Sequence, residues 1–234
     1  MSKVFKKNNN IMKRFLVILS LSSALLISCF THADNLLIGR VILSKQLDNG
    51  YSIIAAGGDV FESYKGQLGY FGITSKIDDH SRWHLGYFAY YPKIDGESRR
   101  DDRLRAALVY RSEFDGWHFS HRSRLEYRMG QIAKGFRYRP AFELSRPLSL
   151  EEIIEDTPYS ELQLFYDLGT VTPYSEFEFF YDLRTDTITT LFFTVGIKFP
   201  IHPRVSVNIG HFNILKRSNG NHIKGPVVGL LIRL

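Results

Sequence analysis

The sequence is short of cysteine, and a long apolar run occurs only near its start. Its 234 residues contain one cysteine, Cys29, so the chain cannot form an internal disulfide. Apart from Phe15 to Ile27, no run approaches the roughly 18 to 20 apolar residues that a transmembrane helix requires. These two absences exclude a disulfide-stapled scaffold and a helical membrane protein.

The first 33 residues have the layout of a secretory signal peptide. Five basic residues and no acidic residue precede or flank the apolar run, which is too short to span a bilayer. Thr31-His32-Ala33 then supplies small residues before a possible cleavage at Asp34. We expect cleavage after Ala33 and export of residues 34–234 as one domain.

Cys29 leaves a second interpretation of this segment open. Leu26-Ile27-Ser28-Cys29 also resembles a lipoprotein signal, in which Cys29 would carry the lipid and become the new N-terminus. The product would then be a lipoprotein or a surface-exposed β-protein that acts as an adhesin or scaffold.

The basic excess of the chain belongs to the expected signal peptide. The whole chain has 30 Lys and Arg against 24 Asp and Glu, and without the five basic residues before Asp34 the balance is 25 against 24. Nucleic-acid binding calls for a persistent basic excess, so we expect no nucleic-acid partner. The histidine spacing suits no metal site and no glycine-rich phosphate loop precedes a helix, so we expect no cofactor and no metal.

The exported part is instead rich in aromatic residues and follows a two-residue alternation from residue 66 onward. Between residues 122 and 129, arginine and glutamate occupy one parity, while serine, leucine, tyrosine and methionine occupy the other. Successive side chains of a strand point to opposite faces, so each such stretch has one charged face and one mostly apolar face. A helix would distribute the same charges around every side.

Asp, Asn, Gly and Pro separate these stretches and mark hairpin turns. The pattern predicts twelve strands, with ten as the alternative. They cover residues 36–44, 51–61, 66–76, 81–92, 102–114, 116–130, 134–147, 158–169, 172–183, 187–199, 204–215 and 223–234. The acidic segment 148–158 is the longest predicted loop.

Strand length separates a membrane barrel from a water-soluble one. A tilted transmembrane strand needs about 9–11 residues, whereas an ordinary strand averages about 5–6. Tyr and Phe near the strand ends fit the aromatic girdles of a membrane barrel. We therefore expect an all-β fold, a closed antiparallel transmembrane β-barrel. Its apolar parity would face outer-membrane lipid, and we expect the barrel-assembly machinery as a further partner.

Several segments resemble a known family. Trp117, His121 to Arg128, Phe136 to Arg139 and Pro173 to Phe180 are similar to an uncharacterised proteobacterial family of outer-membrane barrel proteins, a domain of unknown function, over roughly residues 66–215. The resemblance implies a barrel and no particular activity. The exported length is also similar to that of the oligogalacturonate-specific and sialic-acid porins, a likeness that implies twelve strands and an arginine-lined pore.

The charged parity of the central strands is the main candidate site. Its predicted lumen arginines, which could face anions, are Arg105, Arg111, Arg122, Arg124, Arg128, Arg137 and Arg139. Its predicted carboxylates are Glu126, Glu143, Glu161, Glu176 and Glu178. One interpretation is a narrow arginine-lined diffusion pore for small anionic solutes. The alternative is a structural barrel whose lumen is plugged by cross-strand salt bridges.

A barrel enzyme that acts on lipid is an alternative of a different class. His118, Ser120 and Glu126 share one parity, as a nucleophile, its base and an acid would. However, six residues separate Ser120 from Glu126, which is about 20 Å along a strand. The acid therefore cannot orient that histidine, and we do not expect an enzyme.

Overall fold

Strands make up almost all of the chain that the structure describes. The structure is a computed structural model that describes residues 37–61, 65–94, 96–149, 170–217 and 222–234, all within the unit Leu36–Leu234. The strands are β1 (Leu37–Gln46), β2 (Tyr51–Phe61), β3 (Gly66–Lys76), β4 (Ser81–Ile94), β5 (Glu97–Ser98), β6 (Asp101–Phe114), β7 (Trp117–Met129), β8 (Lys134–Ser145), β9 (Leu148–Ser149), β10 (Thr170–Asp182), β11 (Thr187–His202), β12 (Val205–Lys216) and β13 (His222–Arg233).

Eleven of these strands are long and pair in chain order, and β13 pairs with β1 to close the ring. The short strands β5 and β9 lie beside β4 and β10. The predicted fold class, a closed all-β barrel, is confirmed, and the strand count is close to the predicted twelve. The predicted strand 158–169 lies outside the described residues.

The closing pair differs from the others. Every other pair of neighbouring long strands is antiparallel, whereas β1 and β13 run parallel, with Ile38 opposite Val227 and Ser44 opposite Arg233. A ring of strands that alternate in direction can close antiparallel only when their number is even, and eleven described strands leave one parallel pair. Leu37 and Arg233 therefore lie at opposite ends of the barrel.

Most of the described turns lie where the sequence predicts them, but β11 continues to His202 through most of the predicted turn 200–203, and the predicted turn 218–221 lies outside the described residues. Asp115-Gly116 joins β6 to β7 with positive φ at both residues, 49° and 73°, which is the backbone of a two-residue hairpin turn. We call this end of the barrel the Asp115 mouth. The opposite end, where β6 begins, is the Asp101 mouth.

The two faces of the wall are reversed relative to a water-soluble protein. Large apolar side chains point outward, and Phe71 and Leu108 are each 57% exposed. The inward parity carries charged groups, and Glu126 is 0% exposed. Because the period of a strand is two, one register places most of the large apolar side chains outside and most of the charged ones inside.

Part of the lumen near the Asp101 mouth is filled by an apolar cluster, which we call the Phe212 cluster. Phe212 is 0% exposed and packs with Val60 and Val227. The partly buried members are Ile38, Leu68, Tyr90, Phe192, Ile214 and Ile223. These residues come from β1 to β4 and β11 to β13, so the cluster fills the lumen on that side of the ring.

Inward glycines let the ring of Tyr70 lie against the wall. A side chain at Gly72 or Gly86 would collide with the ring of Tyr70, because the two glycines are register partners on β3 and β4 directly beneath it. Aromatic rings over paired glycines are a recurring way to bring a sheet into close contact with an inward side chain.

The predicted signal peptide, residues 1–33, and Cys29 lie outside the described residues. Among the described residues, no helix has the length and apolarity needed to cross a bilayer.

Candidate functional site

Glu126, inward on β7, is the centre of an ionic network on the opposite side of the lumen from the Phe212 cluster. Five arginines lie within 4 Å of its carboxylate: Arg103, Arg105, Arg124, Arg137 and Arg139. Arg137 Nη2 donates to Oε2 at 2.5 Å, and Arg139 Nη1 donates to Oε1 at 3.0 Å. Arg105 Nε lies 2.8 Å from Oε1, but its N–H is not directed at that oxygen, so this contact is an ion pair without a hydrogen bond.

Glu178 on β10 extends the network along the wall, beyond β8. Arg139 Nη2 donates to Glu178 Oε2 at 2.5 Å, so one guanidinium bridges two buried carboxylates. Arg122 Nη2 then lies 3.1 Å from Glu178 Oε1 and 3.0 Å from Glu176 Oε1. β7 and β10 are not neighbours in the ring, so these contacts stiffen the wall across the intervening strand β8.

Asp101 ends the network at the Asp101 mouth. Its carboxylate, 2% exposed, accepts hydrogen bonds from Arg103 Nη2 at 2.5 Å and Arg128 Nη2 at 2.8 Å. Arg103 also approaches Glu126, with 3.9 Å between Nη1 and Oε2. The network therefore runs without interruption from this mouth to the middle of the barrel.

Two aromatic rings lie beneath the arginines. The Arg105 guanidinium carbon is 3.7 Å from the centroid of the Phe88 ring, and that of Arg139 is 3.9 Å from the centroid of Phe180. Stacking on an aromatic face stabilises a guanidinium that has lost part of its water. The carboxylates are fewer than the arginines, and the aromatic rings therefore help to hold the arginines in place.

The network carries more positive than negative charge. We call this set the ionic cluster, and its seven arginines and four carboxylates are Arg103, Arg105, Arg122, Arg124, Arg128, Arg137, Arg139, Asp101, Glu126, Glu176 and Glu178. Three positive charges remain after pairing, and they lie inside the ring.

Above the ionic cluster, a cavity of about 980 Å³ reaches the Asp115 mouth. Residues from the rim of that mouth, Asp79, His80, Glu113 and His118, line its outer part. Its basic lining residues are Arg40, Arg105, Arg111, Arg122, Arg124, Lys198 and Arg233, against the acidic Asp79, Glu113 and Glu143. The cavity wall is therefore basic overall, seven side chains against three.

The structure places each predicted site residue as follows. Arg105, Arg111, Arg122 and Arg124 line the cavity, while Arg128, Arg137 and Arg139 are engaged by carboxylates below it. Glu126, Glu176 and Glu178 belong to the ionic cluster, and Glu143 pairs with Lys198 at 2.5 Å. Glu161 lies outside the described residues.

Sequence reasoning missed several members of the site. Asp101 and Arg103 share the inward parity of Arg105, so the alternation itself carried that signal. Lys198 shares the inward parity of Thr194 on β11, but it stands alone among apolar and small residues. The residues around Phe88 and Phe180 in the sequence do not indicate that either ring stacks on an arginine. In each pair the ring and the arginine belong to different strands.

The three residues of the enzyme alternative do not come together. His118 and Ser120 line the cavity near the Asp115 mouth, and His118 Nε2 lies 3.4 Å from Glu113 Oε2. The carboxylate of Glu126 is surrounded by arginines deeper in the barrel. Within the described ranges, no group of three or more His, Cys, Asp or Glu residues is arranged to hold a metal ion.

A family model for a protein of unknown function, DUF2490, matches residues 58–224. The chain belongs to the DUF2490 family. This match spans β3 to β12, and therefore includes the whole ionic cluster and the aromatic rings beneath it. Among curated proteins, no match was found.

One solved porin shares the architecture of this DUF2490 barrel. The NanC porin is 11% identical, with a TM-score of 0.50 over 83% of this chain and 92% of that one. An anion-selective porin from Comamonas acidovorans is 12% identical, with a TM-score of 0.32 over 81% of this chain and 56% of that one. At such identities the likeness to NanC concerns the fold alone.

Proposed function

We propose that this protein is an outer-membrane barrel that takes small anionic solutes into its arginine-lined cavity and conducts them slowly past the ionic cluster. The observation that carries the proposal is the basic surplus of the lumen. The cavity wall has seven basic side chains against three acidic ones. A confined basic surface with low-dielectric walls attracts anions and repels cations.

The outer surface supports placement in a membrane. Its apolar side chains would be costly to expose to water over a whole barrel, whereas lipid accepts them. Strands of 10 to 16 residues are long enough to cross the hydrocarbon region when tilted. A closed ring leaves no strand edge unpaired, which lipid requires.

The chemistry of the lining indicates the kind of solute. Arginine binds carboxylates and phosphates in a planar, two-pronged geometry. Arg111 and Arg40 reach into the cavity from β6 and β1, on different sides of the ring. The lining therefore suits a small carboxylate or phosphate ester that moves from Arg111 toward Arg122 and Arg124.

Planar-bilayer recording tests the proposal. We expect the refolded protein to give small currents with an anion preference, measured as a reversal potential across a KCl gradient. Arg122→Ala combined with Arg124→Ala should lower the anion-to-cation permeability ratio toward about one, because both guanidinium groups face the cavity. Lys134→Ala, which removes an exposed basic side chain at the β8 end, is the matched control and should leave the ratio unchanged.

A second candidate is a barrel that stabilises the outer membrane without transport. The burial of Glu126 and Phe212, both 0% exposed, favours it because the two clusters fill the lumen near the Asp101 mouth. A correctly folded wild-type protein that gives no current in planar bilayers would support this candidate and contradict conduction. Recovery of the protein from the soluble periplasm would contradict both.

A further inference from the structure

The outward face of the barrel carries a hydrogen-bonded group of three polar side chains. His121 and Ser123 are two residues apart on β7, at the parity opposite to Glu126, and Tyr138 is on the neighbouring strand β8. His121 Nε2 lies 2.9 Å from Ser123 Oγ, and Ser123 Oγ lies 3.0 Å from the Tyr138 hydroxyl. His121 Nδ1 lies 3.2 Å from the carbonyl oxygen of Ala141.

One arrangement of protons satisfies these contacts. A carbonyl oxygen can only accept a hydrogen bond, so His121 Nδ1 carries a proton and donates it to Ala141. His121 Nε2 is then free to accept the proton of Ser123 Oγ, and Tyr138 donates to the same Oγ. This is the arrangement of a serine nucleophile with its general base.

The imidazole is also fixed in orientation. The Phe142 ring stacks on it, with 4.6 Å between centroids and an angle of 26° between the planes. Together with the bond to Ala141, this contact holds Nε2 toward Ser123. In serine hydrolases a carboxylate commonly orients the histidine, and here a backbone carbonyl takes that position.

The surroundings of the three residues are apolar and exposed. Leu108, the register partner of Ser123, is 57% exposed, and Leu125, which follows two residues later on the same face, is 43% exposed. In the membrane placement proposed above, this surface contacts lipid. Polar side chains there are costly, and they commonly mark a functional site.

The group lies close to the turn between β3 and β4, at the Asp115 mouth. Ser81, the first residue of β4, pairs with Tyr110, which pairs in turn with His121, so His121 lies on the same ladder row as the rim of the Asp115 mouth. The adjoining turn stays charged, because the backbone N–H of His80 donates to Asp78 and lowers the pKa of that carboxyl. Ser123 lies about 7 Å further along the strand and is the seventh of the thirteen residues of β7.

We propose that His121 and Ser123 form a second site that hydrolyses the fatty-acyl esters of membrane lipids from the outer face of the barrel. This inference rests on the proposed membrane placement but not on conduction. The shared chemistry of its substrates is a fatty-acyl ester, carried either by a glycerophospholipid or by an acylated saccharide lipid.

The reaction has two steps. Ser123 Oγ attacks the ester carbonyl carbon while its proton passes to His121 Nε2, and the Tyr138 hydroxyl donates to the oxyanion that forms. The bond from that carbon to the alcohol oxygen then breaks, and the histidine returns the proton to the departing alcohol. Water attacks the acyl-serine in the same way, its proton passes through His121 to Ser123 Oγ, and the fatty acid is released.

The test uses full-length protein refolded in detergent, with folding verified by the shift in gel mobility on heating. Mixed micelles of diacyl phosphatidylethanolamine form one arm and lipopolysaccharide forms the other, with released fatty acid measured by mass spectrometry. We expect release in at least one arm and a loss of about 100-fold or more in Ser123→Ala and in His121→Ala. Ser175→Ala, an outward serine on β10, is the matched control and should retain the wild-type rate.

A second readout does not depend on the choice of lipid. A fluorophosphonate should form a covalent adduct on Ser123 of the folded protein, located by peptide mass, and His121→Ala should lose the adduct. A folded wild type that shows neither release nor adduct overturns the proposal, as does a Ser123→Ala variant that retains the rate. If Ser123→Ala loses fatty-acid release but keeps the bilayer current, the hydrolytic site acts independently of conduction through the lumen.

Discussion

The lumen near the Asp101 mouth is filled by two kinds of side chain, on opposite sides of the ring. β6 to β8 and β10 contribute the ionic cluster around Glu126, whereas β1 to β4 and β11 to β13 contribute the Phe212 cluster. Glu126 and Phe212 are both 0% exposed, so each side excludes solvent at its centre. They do so by different physical means.

The difference lies in what each cluster requires of its neighbours. Apolar packing has no direction, so the Phe212 cluster depends mainly on volume. A buried charge must have partners at the right distance and angle, so the ionic cluster depends on the positions of individual atoms. The ionic side therefore brings a net charge into the lumen, whereas the apolar side fills space.

The largest effect should come from Glu126→Gln. The substitution keeps the size of the side chain but removes the charge that compensates five arginines. We expect the free energy of unfolding to fall by about 3–5 kcal/mol, measured by urea denaturation in detergent micelles. Glu113→Gln, at a carboxylate 68% exposed, is the control, and its expected loss is below about 0.5 kcal/mol. Equal losses in the two variants would contradict the central role of Glu126.

Phe212→Ala should have the next largest effect and test the apolar side. Removing a fully buried ring should cost about 3 kcal/mol by the same measurement. Because the new space is uncharged, we also expect a larger current in planar bilayers with the anion preference unchanged. A change in selectivity comparable to that of Arg122→Ala with Arg124→Ala would show that the two sides do not act separately.

The smallest effect should come from the Lys198–Glu143 pair. Its two side chains are 36% and 28% exposed, so water screens their attraction more than that of the buried pairs. We expect a coupling free energy of about 0.5 kcal/mol in a double-mutant cycle of Lys198→Met and Glu143→Gln. A coupling of several kcal/mol would contradict this expectation and would mean that Lys198 and Glu143 belong to the ionic cluster.

The sequence predicted the strands closely because the signal for a strand is local. The predicted ranges 51–61 and 66–76 coincide with β2 and β3, and the Asp115-Gly116 turn lies where the sequence placed it. Parity also separated Leu125 from Glu126. It did not separate His121 and Ser123 from their neighbours, because two polar residues on a mostly apolar face looked like ordinary exceptions to the alternation.

The sequence by itself determined that this chain forms long strands with one apolar and one charged face. The two signals that show this, the alternation and the turn residues, depend only on residues close together in sequence. Only the tertiary structure decided that one guanidinium, Arg139, bridges Glu126 and Glu178, that Phe212 fills the other side, and that β13 meets β1 in parallel. These contacts depend on the number of strands in the ring and on the register of each pair, which no single stretch of sequence encodes.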